Sequence, residues 1–139
     1  MDAKFIWNGL QTVATLLGGG IGWFLGGFDG LLYALVALVA ADYCTGLMCA
    51  IIEKKLSSEI GRRGILKKVL IFLLVGVAHI IDYYAIGDTS VLRTATILFF
   101  ISNEGLSCVE NACRIGLPVP KKLKDILSQL HRANKEDDE

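Results

Sequence analysis

Charges fall in a few blocks along this chain, and long apolar runs lie between them. No Asp, Glu, Lys or Arg occurs between Lys4 and Asp29. Gly30 to Ile52 carries only Asp42, residues 69–86 carry His79 and Asp82, and residues 94–113 carry Glu104 and Glu110. A hydrocarbon core about 30 Å thick is crossed by roughly 20 residues of helix. The pattern therefore predicts an all-α integral membrane protein, a four-helix transmembrane bundle with spans at about 5–28, 30–52, 69–86 and 94–113. Three spans are the alternative, with residues 5–28 on the membrane surface or away from it. Residues 1–116 make one transmembrane domain in this reading, and residues 117–139 a cytoplasmic or interfacial amphipathic helix with an acidic tail. In Gly116-Leu-Pro-Val-Pro120 two prolines end the last span, and the second can open a new helix at its first turn. Leu123, Ile126, Leu127 and Leu130 then share one face of it, and Lys135-Glu-Asp-Asp-Glu139 is read as a solvated tail.

The 139 residues are 53% hydrophobic and 20% charged, with a mean hydropathy of +0.53, which excludes an ordinary soluble domain. Cytoplasmic loops are enriched in Lys and Arg. Lys54, Lys55, Arg62, Arg63, Lys67 and Lys68 fill the 53–68 loop, and Arg114, Lys121, Lys122, Lys124, Arg132 and Lys135 follow the last span. Both blocks, and with four spans both termini, are expected in the cytoplasm, leaving Arg93 as the one cation outside. The first run ends in a glycine-rich stretch without a clear small-residue cleavage site, so it is expected to be a retained helix rather than a signal peptide. Cys44, Cys49, Cys108 and Cys113 match no zinc spacing and are read as small packing residues.

Polar residues inside the spans are the candidates for function. Gly18, Gly22 and Gly26 form two overlapping small-xxx-small units suited to close helix packing, and Asn8, Thr12 and Thr15 share a stripe with Gly19, Gly22 and Gly26. Asp42 lies near the middle of the second span, with Thr45, the packing residue Gly46 and Cys49 on its face. A charge at the bilayer centre costs about 2.5–3.5 kcal/mol on insertion scales, so it turns inward, pairs or takes up a proton. His79, Asp82 and Asn103 are its candidate partners, and His79 and Asp82 are spaced to meet each other. Structural hydrogen bonding and proton handling both fit that pair. The fourth span places Asn103, Ser107, Glu110, Asn111 and Arg114 along one face with Glu104 beside it. Such a face needs other protein or water, which favours an oligomer enclosing a polar path.

The cations Lys54, Lys55, Arg62, Arg63, Lys67, Lys68, Lys121 and Lys122 are expected at the membrane surface, where each gains about 1 kcal/mol from anionic headgroups. No nucleic-acid role is needed. The chain has no phosphate loop, nucleophile elbow, paired-His metal motif or dinucleotide fingerprint, so neither catalysis nor a cofactor or metal is expected.

Four groups of residues together carry a resemblance: Asp42-Tyr-Cys-Thr-Gly46 with Ala50; Ser57 with Gly64 through Lys68; Asn103-Glu104 through Glu110-Asn111; and Gly116 to Pro120. From about Val39 to about Leu130 the chain resembles the toxin-secretion/phage-lysis holin family, to which the clostridial TcdE-type holins belong. The resemblance implies a small inner-membrane protein that homo-oligomerises and opens pores or lesions for an endolysin or toxin. That cargo would pass without specific binding, and an antiholin is a further partner it implies. A narrow ion or proton channel using Asp42, His79 and Asp82, and an antiholin or membrane scaffold, are the rival readings.

Overall fold

A computed structural model describes residues 2–123, 125, 126 and 129. Among them every regular element is helical: α1 (Ala3–Phe24), α2 (Gly30–Ile52), α3 (Ser58–Ile81) continued by a π-helical turn (Asp82–Gly87), and α4 (Val91–Ile115). α2 and the 30-residue run Ser58–Gly87 are each long and apolar enough to cross a membrane. Leu127, Leu130 and the acidic tail lie outside the described residues. The described residues just after Pro120 are exposed, Leu123 and Ile126 included.

Local chemistry sets the element ends. Asp29 caps α2, its Oδ1 accepting from Leu32 N at 2.9 Å, and Ser57 caps α3 through Ile60 N at 3.2 Å, each satisfying one of the amides a first helical turn leaves unpaired. α1 ends at Phe24, and Gly26 just beyond it has a φ of 79°, in the left-handed region. Gly26 N bonds to Trp23 O at 3.1 Å and Gly27 N to Gly22 O at 2.7 Å, the paired bonds of a Schellman cap. The basic segment is not a loop as expected. α3 begins at Ser58, so Arg62, Arg63, Lys67 and Lys68 are helical, and Glu59 in the first turn complements the helix dipole.

α2 and α4 pack along their length, with α3 against both. Pairings fall in the same order along α2 and α4, Asp29 with Arg93, Asp42 with Asn111 and Glu53 with Arg114, so the two helices run parallel and α3 is antiparallel to both. Leu32, Leu35 and Val39 of α2, Ile71 and Val75 of α3, Ile97 of α4 and Leu25 from the first turn form the buried core. The rest of the apolar surface points outward: Ile65, Leu66, Leu70, Leu73 and Val77 of α3 and Val36 and Ile51 of α2 are exposed. Continuous apolar exteriors of this kind mark contact with lipid or another protein.

α1 stands apart. Residues 3–17 are exposed throughout, and the helix is held at its last turn. The Phe24 ring fills the space where Gly76 of α3 would otherwise carry a Cβ, and Phe28 folds back to within 2.7 Å of a Cβ placed on Gly22. The glycine stripe expected in this helix is therefore interrupted. Gly18 faces open space, Gly22 packs on its own chain's Phe28, and Gly26 lies past the helix end. The hydroxyls of Thr12 and Thr15 bond to the carbonyls of Asn8 and Gln11 one turn back, so that stripe satisfies itself.

Candidate functional site

Three helices each contribute to a buried polar cluster, and its centre is a lysine. Lys68 Nζ on α3 donates to Asp42 Oδ2 on α2 and to Glu104 Oε2 on α4. Asn111 Nδ2, two turns along α4, donates to Asp42 Oδ1 at 3.1 Å and to Thr45 Oγ1 at 3.0 Å. Thr45 passes its own hydroxyl back to Ala41 O at 2.9 Å. Asp42, Glu104 and Asn111 are each buried to within 10% of full occlusion, and Gly46 lies beside the Asn111 amide, 3.8 Å from the place of a Cβ, room enough for a methyl group. Cys49 Sγ donates to Asn111 O at 3.3 Å below the cluster.

Two carboxylates on one ammonium leave the cluster one charge short of neutrality when both acids are ionised. A buried charge is tolerated only when paired and hydrogen-bonded, and among the described residues no buried side-chain nitrogen or oxygen lacks a partner. The polar face of the fourth helix was expected to need water or a neighbouring copy. Lys68 supplies much of that need from within the chain, because α3 starts at Ser58, eleven residues before the apolar run at 69, and carries a cation down to the level of Asp42.

A second polar centre lies thirteen residues up α2, about 20 Å away at 1.5 Å per residue. Arg93, expected outside, is only 3% exposed. Its guanidinium donates to the carboxylate of Asp29 at 2.7 and 3.3 Å and to Gly27 O at 3.0 Å. Asp82, fully buried, accepts from Arg93 N at 2.8 Å, Leu92 N at 3.1 Å and Thr89 Oγ1 at 3.2 Å. It caps α4 from a neighbouring element. Arg93 and His79 both crowd Gly26, each 2.7 Å from the place of a Cβ.

The sequence-derived candidates thus divide into two groups. Asp42, Thr45, Glu104 and Asn111 meet in the first cluster, with Ser107 half-buried beside it. His79 and Asp82 belong to the second centre and touch neither Asp42 nor, by hydrogen bond, each other. Asn103 is half-buried and is not among Asp42's partners, and Glu110 is exposed. Lys68 is not the surface cation it was taken for, since its side chain is 17% exposed. Lys54, Lys55, Arg62, Arg63, Lys67, Lys121 and Lys122 are exposed. At the far end of α2, Glu53 holds Arg114 at 2.7 Å and Lys55 at 3.8 Å. Lys68 and Arg93 were missed as partners, although both were legible as cations beside acid-bearing spans.

Comparison with known proteins places the chain among relatives of similar length. An uncharacterized protein of Halalkalibacterium halodurans is 38% identical over 134 residues, covering 94% of this chain and 96% of its own. An uncharacterized 14.9 kDa protein of Clostridium perfringens is 40% identical over 128 residues, 92% of this chain and 94% of its own. A Bacillus phage phi105 protein named "Probable holin" is 40% identical over 101 residues, 72% of this chain and 73% of its own. No solved structure matches the chain. Residues 19–132 match the Bacteriophage holin family, a family of membrane proteins and not of enzymes, and this chain belongs to it.

Proposed function

We propose that the chain acts as a holin in the bacterial cytoplasmic membrane. It accumulates there as a four-span protein, α2–α4 bundled and α1 beside them, with both termini in the cytoplasm, then homo-oligomerises into pores or lesions that release an endolysin or toxin. The observation that carries this reading is the Asp42–Lys68–Glu104–Asn111 cluster, a polar seam sealed inside an otherwise apolar bundle of a holin-family chain. While each subunit is alone the seam is closed by its own side chains. Subunits that associate laterally can trade those internal bonds for bonds to water, turning the seam toward a common aqueous path. The exchange is favoured because a buried ion cluster has lost its hydration and regains it at little cost once water enters.

The test is release from liposomes holding a small dye and a folded protein of endolysin size, followed as the density of the full-length protein rises. Release of both above a threshold density is expected. Dye release alone supports a narrow channel instead, and release of neither supports an antiholin or scaffold. Asp42→Leu and Glu104→Leu are expected to change the threshold or the timing of leakage, and unchanged kinetics at equal membrane levels would count against the seam.

A further inference from the structure

Where α2, α3 and α4 meet near the α2–α3 turn, a cavity of about 310 Å³ opens beside the ion cluster. Arg63 and Lys67 stand on its wall with Asp42, Lys68 and Asn111. Asp42 is already engaged, one carboxylate oxygen by Lys68 and the other by Asn111. Arg63 and Lys67 are not: among the described residues neither forms an ion pair, and Glu59, one turn before Arg63, reaches neither. Like charges one helical turn apart repel, and here both line one concave surface. An apolar groove of about 300 Å³ shares Tyr43 and Lys68 with the cavity and is lined further by Val36, Ala40, Val69 and Phe72 of α2 and α3. Tyr43 marks the junction, its ring against Gly64 and its hydroxyl donating to Gly61 O at 3.4 Å.

We propose that this cavity and groove bind one anionic phospholipid, its phosphodiester between Arg63 and Lys67 and an acyl chain along the groove. A guanidinium and an ammonium at one mouth suit a phosphate, the first by paired N–H donors and the second as a point charge. The apolar continuation separates a lipid from a free anion. The proposal rests on α2 and α3 crossing the bilayer, and is independent of whether the assembled protein forms a pore.

Native mass spectrometry of the full-length protein in mild detergent, with phosphatidylglycerol and phosphatidylcholine of equal chain length added, reads the site directly. Phosphatidylglycerol is expected to be retained over phosphatidylcholine. R63Q/K67Q is expected to lower that retention about 30-fold, equivalent to roughly 1 kcal/mol for each cation, whereas K54Q/K55Q, outside the cavity, keeps it. Val69→Trp, which fills the groove, is expected to lower retention with the cations intact. Equal retention of the two lipids, or equal loss in the two double variants, overturns the proposal in favour of diffuse surface charge. Loss of phosphatidylglycerol to millimolar inorganic phosphate, with Val69→Trp silent, overturns it in favour of a free-anion site. Alkaline carbonate extraction separates the underlying premise: release of the protein from membranes refutes the spanning placement itself, and retention leaves only the lipid site in question.

Discussion

Arg93 Nη1 lies 2.7 Å from Asp29 Oδ2, joining the first turn of α4 to the residue that caps α2. The contact gives the turn after α1 a dependence on acid. The Arg93 hydrogen bond, foremost, holds the Asp29 carboxyl below its usual range. A carboxylate with a lowered folded pKa stabilises the fold fully above its unfolded value of about 3.9, and that contribution fades as pH falls through the folded value. No change is expected across neutral pH, and loosening of the turn is expected below about pH 4. The effect is small and salt-sensitive, because Asp29 is half exposed. Trp23 fluorescence in a Trp7→Phe background reports it, and an Asp29→Asn protein with the same acid transition would sink the assignment.

Lys68→Met removes the only cation that, among the described residues, pairs with Asp42 and Glu104. Breaking a buried ion cluster from one side costs about 3–5 kcal/mol, while replacing every member by neutral groups of similar size is far milder. Thermal unfolding in micelles, followed by circular dichroism, should show a large loss for Lys68→Met. Addition of Asp42→Asn and Glu104→Gln should recover most of it, and a triple variant no better than the single one would contradict the pairing.

Gly76→Leu sets a side chain where the Phe24 ring now sits. Overpacking of this kind costs about 1–3 kcal/mol, and here the easier relief is for α1 to swing away while α2–α4 hold. Phe24→Ala in the same chain should restore stability. A disulfide between cysteines placed at positions 24 and 76 in otherwise native sequence should form readily, and its absence would show that α1 does not dock there.

The helices were largely legible because lipid imposes a coarse rule: charge ends a span. Asp29-Gly30 and Glu53-Lys54-Lys55 bracket α2 for that reason. The start of α3 was read too late by the same rule, since Arg62 to Lys68 looked like a loop. Ser57 followed by Glu59 held the contrary signal, a cap and a favourable first-turn acid. The partners of Asp42 were misjudged because chemistry alone nominated His79 and Asp82, whereas register decides. Asp42 lies ten residues before Ile52, the end of α2, and Lys68 ten after Ser58, the start of α3, which puts them at one level of an antiparallel hairpin. That symmetry becomes visible only once the helix start is right. Arg93 was hidden for a different reason, because a span-edge cation gives no sign that a carbonyl-lined turn will enclose it.

Asp82→Ala leaves the first amides of α4 without their acceptor. Loss of a capping carboxylate costs about 0.5–2 kcal/mol, and the amides of Leu92 and Arg93 should exchange with solvent about tenfold faster, each 1.4 kcal/mol being a factor of ten. Unaltered exchange at those two amides would mean that Ser90 or water serves as the cap instead.

The docking of α1 at its last turn alone divides the molecule unequally. Its cohesive part begins at Phe24, and the first twenty or so residues are an arm whose displacement would break none of the contacts among Leu32, Val75 and Ile97. An arm of that kind can change its position while the folded centre stays intact, so whatever α1 meets in its surroundings can move it without the rest having to unfold.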